Sequence, residues 1–335
     1  MAYGDDSSPA RFLQGQTSND RQLLLDVFGG EVITAFDMAL VIGDKVEVKT
    51  VGGGQRSWRF PKVWKATAEY HSPGKEMLGL DIDTGEITVT IDDILTSHIA
   101  LSDIDTMLSH FDVRSKFSME MGRALARIYD KNTARQIILA ARTAADGPFP
   151  GGQVVTDPAL INTGITNKGA TGSDWLDGIN AAKKLLWDDD VPETMPLYMA
   201  VNWDVFDAIK NARAESASGV YYGEYRLQDN RLNDQVDIAR AQNVLHVDDV
   251  TIFRTRNLPT ANETSDTSVY PKYRANYSTT TGIMWNPMAV ATLKLMDIGF
   301  EVTRDTRRLE DFMVAKMLVG HGTLRPEAAV EFKTS

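Results

Sequence analysis

The spacing of apolar residues changes several times along the chain. Residues 1–18 are polar and include glycine and proline, which predicts an extended N-terminal arm. From Asn19, a capping residue, a run of leucines predicts a short helix up to Phe28, ended by Gly29–Gly30. A second short helix is predicted over 31–40, so the chain is expected to open with an arm and two short helices.

The next segment alternates with the two-residue period of strands. Valines at 46 and 48 alternate with charged residues, and the glycines at 52–54 predict a turn to a returning strand. Apolar residues alternate again over 87–91. An isolated hairpin is marginally stable, so the aromatic side chains of this β-arm need a surface, either in this chain or in a neighbouring copy. We therefore take four of them as candidates for contacts between subunits: Trp58, Phe60, Trp64 and Tyr70.

The longest helical pattern follows Asp112, a plausible N-cap. Apolar residues recur at spacings of three and four from Phe117 to Ala141, which predicts one helix over 113–142. At roughly 1.5 Å per residue that helix is about 45 Å long. Such a length suits a rod that spans a flat subunit.

The remainder predicts a compact α/β region followed by strands. Residues 143–172 and 256–281 are rich in polar and turn-forming residues and indicate loops. The elements predicted between and after them are a helix from Ser173 to Leu186, a strand Leu197–Val201, a helix after Asn202, a hairpin over 243–253, and strands around 283–285, 291–296 and 313–320.

Composition limits the classes of function. The chain has 335 residues, a formal net charge of -11 and a sequence pI near 5.0, which argues against a phosphate-gripping surface and against adhesion to anionic membranes. It has no cysteine, so disulfides, thiolate nucleophiles and zinc fingers are excluded. The N-terminus has no secretory pattern and no apolar run is long enough for a membrane helix, so we expect a soluble intracellular product.

Candidate chemistry is sparse. The five histidines lack metal-pair spacing, and the glycine-rich run 52–57 lacks the lysine of a phosphate-binding loop. The acidic segment 81–86 resembles a calcium loop, but its glycine comes one position early, so a turn is favoured. Asp188–Asp190 is read as a solvated loop rather than a metal site. We predict no catalytic, cofactor or metal site.

A dense run of mixed charge occupies 304–311. It fits ion pairing that fixes the register between subunits, and it fits equally a solvated surface whose pairs contribute little. Both interpretations stay open. The residues concerned are Arg304, Arg307, Arg308, Glu310 and Asp311.

Several motifs stand in order along the chain, from roughly residue 20 to residue 330. They are Val27–Val32 with Thr34–Phe36, Ile91–Asp92 with Leu95–Thr96 and Asp103–Asp105, Asp112–Ser115, Ala289–Asp297, Ala315–Lys316 and Gly320–Ala329. Together they resemble the major capsid proteins of short-tailed (autographivirus, T-seven-like podovirus) phages, with a weaker match at 150–280.

The resemblance implies an α+β chain with the Hong Kong 97-type capsid fold. Its parts would be an N-terminal arm (1–43), an extended β-hairpin loop (44–95), a peripheral domain with the spine helix (96–145 and 288–335) and an axial domain (146–287).

The resemblance also implies a structural role without enzyme activity or cofactor. Subunits would form hexamers and pentamers of an icosahedral shell around double-stranded DNA, contacted without sequence specificity. A procapsid built in the bacterial host cytoplasm with a scaffolding protein, and with a portal protein at one vertex, would mature into the virion capsid. Some relatives cross-link subunits through lysine; Lys62, Lys65 and Lys75 lie in the extended loop, but no activating acid is evident nearby, so no cross-link is predicted.

Two alternatives remain. A cellular encapsulin-type compartment has the same fold but encloses a cargo enzyme, so the particle's contents distinguish the two. An α/β enzyme built on 173–255 is the alternative from another class, and it lacks a recognisable nucleophile, metal or phosphate set. Electron microscopy of the expressed protein separates shells from small enzyme oligomers.

Overall fold

The computed structural model describes residues 18–63, 68, 70–71, 74, 76, 82–102, 113–156, 168–192, 194–210, 244–247 and 249–334, with the backbone alone at 18–27, 113–114 and 168–173. The chain forms two compact units. The first unit comprises Met1–Leu40, Asp93–Arg127 and Met296–Leu318, and the second unit Val41–Asp92, Ile128–Leu295 and Val319–Ser335.

Helices and strands contribute to both units. In chain order they are α1 (Ser18–Ala39), β1 (Glu47–Thr50), β2 (Ser57–Val63), β3 (Thr84–Thr90), β4 (Leu95–Ser102), α2 (Val113–Ala141), β5 (Gln153–Thr156), α3 (Lys168–Asp188), β6 (Leu197–Val201), α4 (Trp203–Lys210), β7 (Val244–Val247), β8 (Val250–Arg254), β9 (Thr280–Trp285), β10 (Val290–Asp305), β11 (Glu310–Thr323) and β12 (Ala329–Lys333).

In the first unit, α1 is one continuous helix, so the prediction of two short helices separated by Gly29–Gly30 is wrong. The physical reason is tight packing. A Cβ on Gly29 would lie 2.9 Å from Cδ2 of Phe300, whose ring also meets Phe28 edge-on at 5.6 Å. A glycine that allows a close aromatic contact is compatible with a helix interior, despite its cost of about 1 kcal/mol relative to alanine.

The helix α2 approaches α1 closely within the same unit. A Cβ on Gly122 would lie 2.4 Å from the carbonyl oxygen of Val32, so only glycine allows the two backbones to come this near. The strands β11 and β4 pair antiparallel in the first unit, with Glu310 of β11 opposite Ser102 of β4.

In the second unit the strand partners differ from the prediction. The returning strand β2 pairs antiparallel with β3, whereas β1 pairs in parallel with β10, with Glu47 opposite Ala291. The prediction that β2 returns onto β1 is therefore wrong. A period-two pattern shows that a strand has one covered face, but it does not show which strand lies beside it.

The second unit is built on a six-stranded sheet of order β5-β12-β9-β6-β8-β7. One face is covered by the C-terminal half of α2, with Ile137 and Ile138 in the same cluster as Trp285, and the other by α3 and α4, with Trp175 beside Met199. The predicted helix 113–142, strand Leu197–Val201 and hairpin 243–253 are confirmed, although Asp112 and Asp248 lie outside the described residues.

Helix α3 begins at Lys168, earlier than predicted, so Ser173 lies inside it and does not cap it. The late strands predicted around 283–285, 291–296 and 313–320 are confirmed, and the last two are longer than predicted. Among the helices the structure describes, none is long and apolar enough to cross a membrane.

Candidate functional site

The β2–β3 hairpin has two unlike faces. Cross-strand pairs Trp58–Val89 and Phe60–Ile87 point to one face, where Phe60 is only 9% exposed. The opposite face carries exposed polar side chains, including Arg59, whose guanidinium lies 3.3 Å from the carboxylate of Glu86. The hairpin therefore has an inner apolar face and an outer polar face.

The inner face packs against the rest of the second unit, to which the hairpin belongs. The ammonium of Lys62 lies 3.8 Å from the centre of the Phe149 ring. A Cβ on Gly322 would lie 2.6 Å from the side chain of Val89, and one on Gly320 would lie 2.3 Å from the carbonyl oxygen of Thr90. For the described base of the hairpin, the surface that covers the apolar side chains belongs to this chain.

The four aromatic contact candidates occupy different environments. Phe60 is buried in its own chain, and Trp58 is half-buried, with the ammonium of Lys49 5.3 Å from its ring centre. Tyr70 is fully exposed. Trp64 lies outside the described residues. The role of these residues between subunits stays a prediction.

A cluster of polar side chains connects the end of the hairpin to the rest of the second unit by hydrogen bonds. The Tyr273 hydroxyl donates to Oδ2 of Asp92, two residues after β3, and accepts from the backbone N–H of His321 at 3.1 Å. The ammonium of Lys272 lies 3.4 Å from Oδ1 of Asp92 and 3.3 Å from the carbonyl oxygen of Thr90. Burial, followed by the Asp92 charge, raises the pKa of Tyr273 well above its usual value, which keeps the phenol a donor.

His321 is fully buried beside this cluster. Its Nδ1 lies 2.9 Å from the Thr292 hydroxyl and 3.4 Å from that of Thr133, and the Tyr129 ring meets it edge-on at 4.9 Å. Burial, with a smaller effect of the Lys272 charge, lowers the pKa of His321 to about 3, so the imidazole is neutral near pH 7. No pattern in the sequence indicates this cluster, although Asp92 and His321 both fall in the motifs that carry the resemblance.

The charged run 304–311 spans the turn at which β10 ends and β11 begins in the first unit. Arg304 lies 3.2 Å from Asp311, and Arg308 lies 3.6 Å from Glu310 and 3.9 Å from Asp305. The backbone N–H of Arg307 donates to Asp305, and exposed Leu309 at the tip adopts φ 54°. These contacts lie within the turn, and whether its charges also meet another subunit stays open.

Gly53 and Gly54 lie in a turn, as do Asp189 and Asp190, whereas residues 84–86 of the acidic segment lie in β3, so the prediction of a turn there is wrong. Gly54 adopts φ 94° and Asp190 adopts φ 55°, both in the left-handed region typical of turns. In the part of the chain that the structure describes, no three acidic or histidine side chains are grouped so that they could hold a metal ion. Asp81 lies outside that part.

Comparisons with known proteins point in one direction. A family model described as "Gp10A-like: Major capsid protein" matches residues 59–333. The major capsid protein of Escherichia phage T7 is 27% identical over 321 residues, covering 92% of this chain and 90% of the relative, and that of Enterobacteria phage T3 is 26% identical over 331 residues, covering 94% and 93%. The capsid structure of the cyanophage P-SCSP1u matches with a TM-score of 0.68 at 30% identity, covering 88% of each chain.

Proposed function

Because the chain belongs to the Gp10A-like family of major capsid proteins, we propose that its copies form hexamers and pentamers that close an icosahedral shell around double-stranded DNA. The chain is a structural protein of T7- and T3-like phage capsids with the Hong Kong 97-type fold, and not an enzyme. As a capsid component it is part of the virion and associates with itself. The relatives are phage capsid proteins, which favours this function over an encapsulin-type compartment or an α/β enzyme.

The observation that carries the proposed shell is the match over residues 59–333, which includes the hairpin, the long helix and the paired strands β10 and β11. A closed shell needs contacts that repeat between identical copies, and each can be modest because the shell multiplies them. The outer polar face of the hairpin and the exposed turn at 304–311 are surfaces of that kind.

We extend the proposal to the parts of the subunit. The N-terminal arm is 1–43, the extended loop 44–95, the peripheral domain 96–145 with 288–335, and the axial domain 146–287. Contacts between subunits involve Trp58, Trp64 and Tyr70 of the loop and Arg304, Arg307, Arg308 and Glu310 of the turn. Phe60 is the weakest candidate, since its own chain already buries it.

Partners beyond a second copy are also part of the proposal. A scaffolding protein would act during assembly in the host cytoplasm and a portal protein would occupy one vertex. The packaged DNA would be contacted without reading its sequence. A net charge of -11 fits a wall that confines DNA without gripping its phosphates.

The test is assembly of the purified protein, followed by sedimentation and negative-stain electron microscopy. Closed shells or hexameric and pentameric capsomers are expected, and small oligomers alone would contradict the proposal. Val63 and Thr84 are paired across the hairpin, so replacing residues 64–83 by Asn-Gly should close β2 onto β3 by a tight turn and leave the second unit folded. We expect this variant to remain soluble but not to form shells.

A further inference from the structure

A cleft in the second unit lies where the hairpin meets the sheet. Its walls include Lys62 and Val63 at the end of β2, Phe149 after α2, and Glu327 before β12, and its volume is about 270 Å³. Pockets for drug-sized ligands usually run from about 300 to 1,000 Å³, so this cleft suits a single side chain better than such a ligand.

Glu327 is the unusual group in this cleft. It is only 7% exposed, and its Oε2 is buried with no hydrogen-bond partner among the described residues. Buried carboxylates normally have partners, since leaving one without costs free energy. Burial raises the pKa of Glu327, an effect that its own backbone amide and the more distant charges of Arg325 and Lys62 only partly oppose. The carboxylate therefore favours an added cationic donor.

The rest of the cleft fits a cation carried on an apolar stem. Asp189 and Asp190 also line it, so the lining contains three acidic and two cationic side chains. The ammonium of Lys62 lies over the Phe149 ring, and Asp189 accepts a hydrogen bond from Gln153 at 2.6 Å. Val191, Pro192 and Met288 add apolar surface to the lining, on which the aliphatic stem of an arginine or lysine would pack while its charged end pairs with a carboxylate.

We propose that this cleft receives an arginine or lysine side chain from a second copy of the chain, and that the Glu327 side chain turns toward it to accept a hydrogen bond. The inference rests on the proposed shell, which supplies the second copy. Val63, which lines the cleft, is 55% exposed, so part of the lining lies at the surface of the chain, where a second subunit can reach it. The pairing fixes the hairpin's position against a neighbour through a charge, in addition to its aromatic contacts.

The first test compares two neutralised carboxylates. Glu327→Gln keeps the size of the side chain but removes the charge, and we expect the protein concentration needed for half-maximal assembly to rise about tenfold. The matched control is Asp249→Asn, at an aspartate of the same unit that is 86% exposed and lies outside the proposed contact surfaces, and for which no rise is expected. Thermal unfolding of the unassembled Glu327→Gln subunit should match or exceed that of the wild type, because a buried, unpaired carboxylate has been removed. Lower stability with unchanged assembly would indicate a purely internal role.

The second test identifies the occupant. A benzophenone amino acid at position 63 is irradiated in assembled shells and in unassembled subunits, and cross-linked peptides are identified by mass spectrometry. A cross-link between copies that appears only in shells, beside an arginine or lysine, supports the inference. Wild-type shells with no such cross-link and with Glu327→Gln assembling normally would overturn the inference alone. Failure of the wild type to form shells would overturn the proposed function, and the inference with it.

Discussion

Loss of the Tyr273 hydroxyl should weaken the attachment of the hairpin in a measurable way. In Tyr273→Phe the ring stays, but Asp92 loses the phenol donor and the backbone N–H of His321 loses its acceptor. A hydrogen bond to a charged group is worth about 1.5 to 3 kcal/mol, and a buried unpaired donor costs about 1 to 3 kcal/mol. Since Lys272 still holds Asp92, we expect the free energy of unfolding to fall by about 2 to 4 kcal/mol.

The assay is urea denaturation of unassembled subunits, with amide hydrogen exchange to locate the effect. Exchange should accelerate most in β3, which ends two residues before Asp92. The control is Tyr270→Phe, which removes the hydroxyl of a neighbouring, half-buried tyrosine whose ring lies 6.2 Å from that of Tyr273. Its unfolding free energy should change by less than about 0.5 kcal/mol. Equal losses in the two variants would refute the argument that the hydroxyl holds the hairpin.

Three further predictions concern other contacts. Between pH 7 and pH 5 the free energy of unfolding of the wild type should fall by about 2 kcal/mol through His321, because the pKa of about 3 in the folded state lies below the 6.5 of the unfolded state, which binds the proton first. In His321→Gln this part of the loss should vanish, and parallel pH profiles of the two proteins would contradict the assignment. Arg142→Ala should cost about 3 to 5 kcal/mol in urea denaturation, because it removes the 2.6 Å ion pair of the fully buried Glu331 carboxylate; a loss below about 1 kcal/mol would show that the pair is dispensable. Gly30→Ala should raise the melting temperature, because alanine is favoured over glycine in a helix by about 1 kcal/mol. Gly29→Ala should lose that gain, because its new Cβ would lie 2.9 Å from the Phe300 ring. Equal effects of the two substitutions would mean that the ring moves aside freely.

The elements best predicted from the sequence are those that their own local residue pattern is sufficient to identify. The helix α2 carries an apolar stripe along its whole length, and β6 is a short apolar run between turn residues, so neither needs knowledge of a partner. The single helix α1 was not predicted, because the reason that Gly29 is tolerated lies in Phe300, far along the chain.

Strand pairings and polar clusters could not be predicted from the sequence, because they join residues that are far apart along the chain. The partner of β1 is 244 residues distant at Glu47–Ala291, and Asp92 meets Tyr273 across 181 residues. Nothing in a local window shows such pairs. Of the aromatic contact candidates, Phe60 is buried, Trp58 is half-buried and Tyr70 is exposed, but their role depends on other copies, which the sequence does not place.

The position of β12 in the six-stranded sheet has a consequence for biosynthesis. This strand, the last in chain order, lies between β5 and β9 and pairs with both. During translation the sheet has a gap until residue 333 has left the ribosome, and closing it joins segments far apart in sequence, which slows folding. A nascent chain is therefore unable to offer a finished subunit to its neighbours, so polymerisation is delayed until synthesis has passed this strand. Ribosome-bound chains halted before residue 329 should be far more sensitive to protease than chains halted well after residue 333 has emerged.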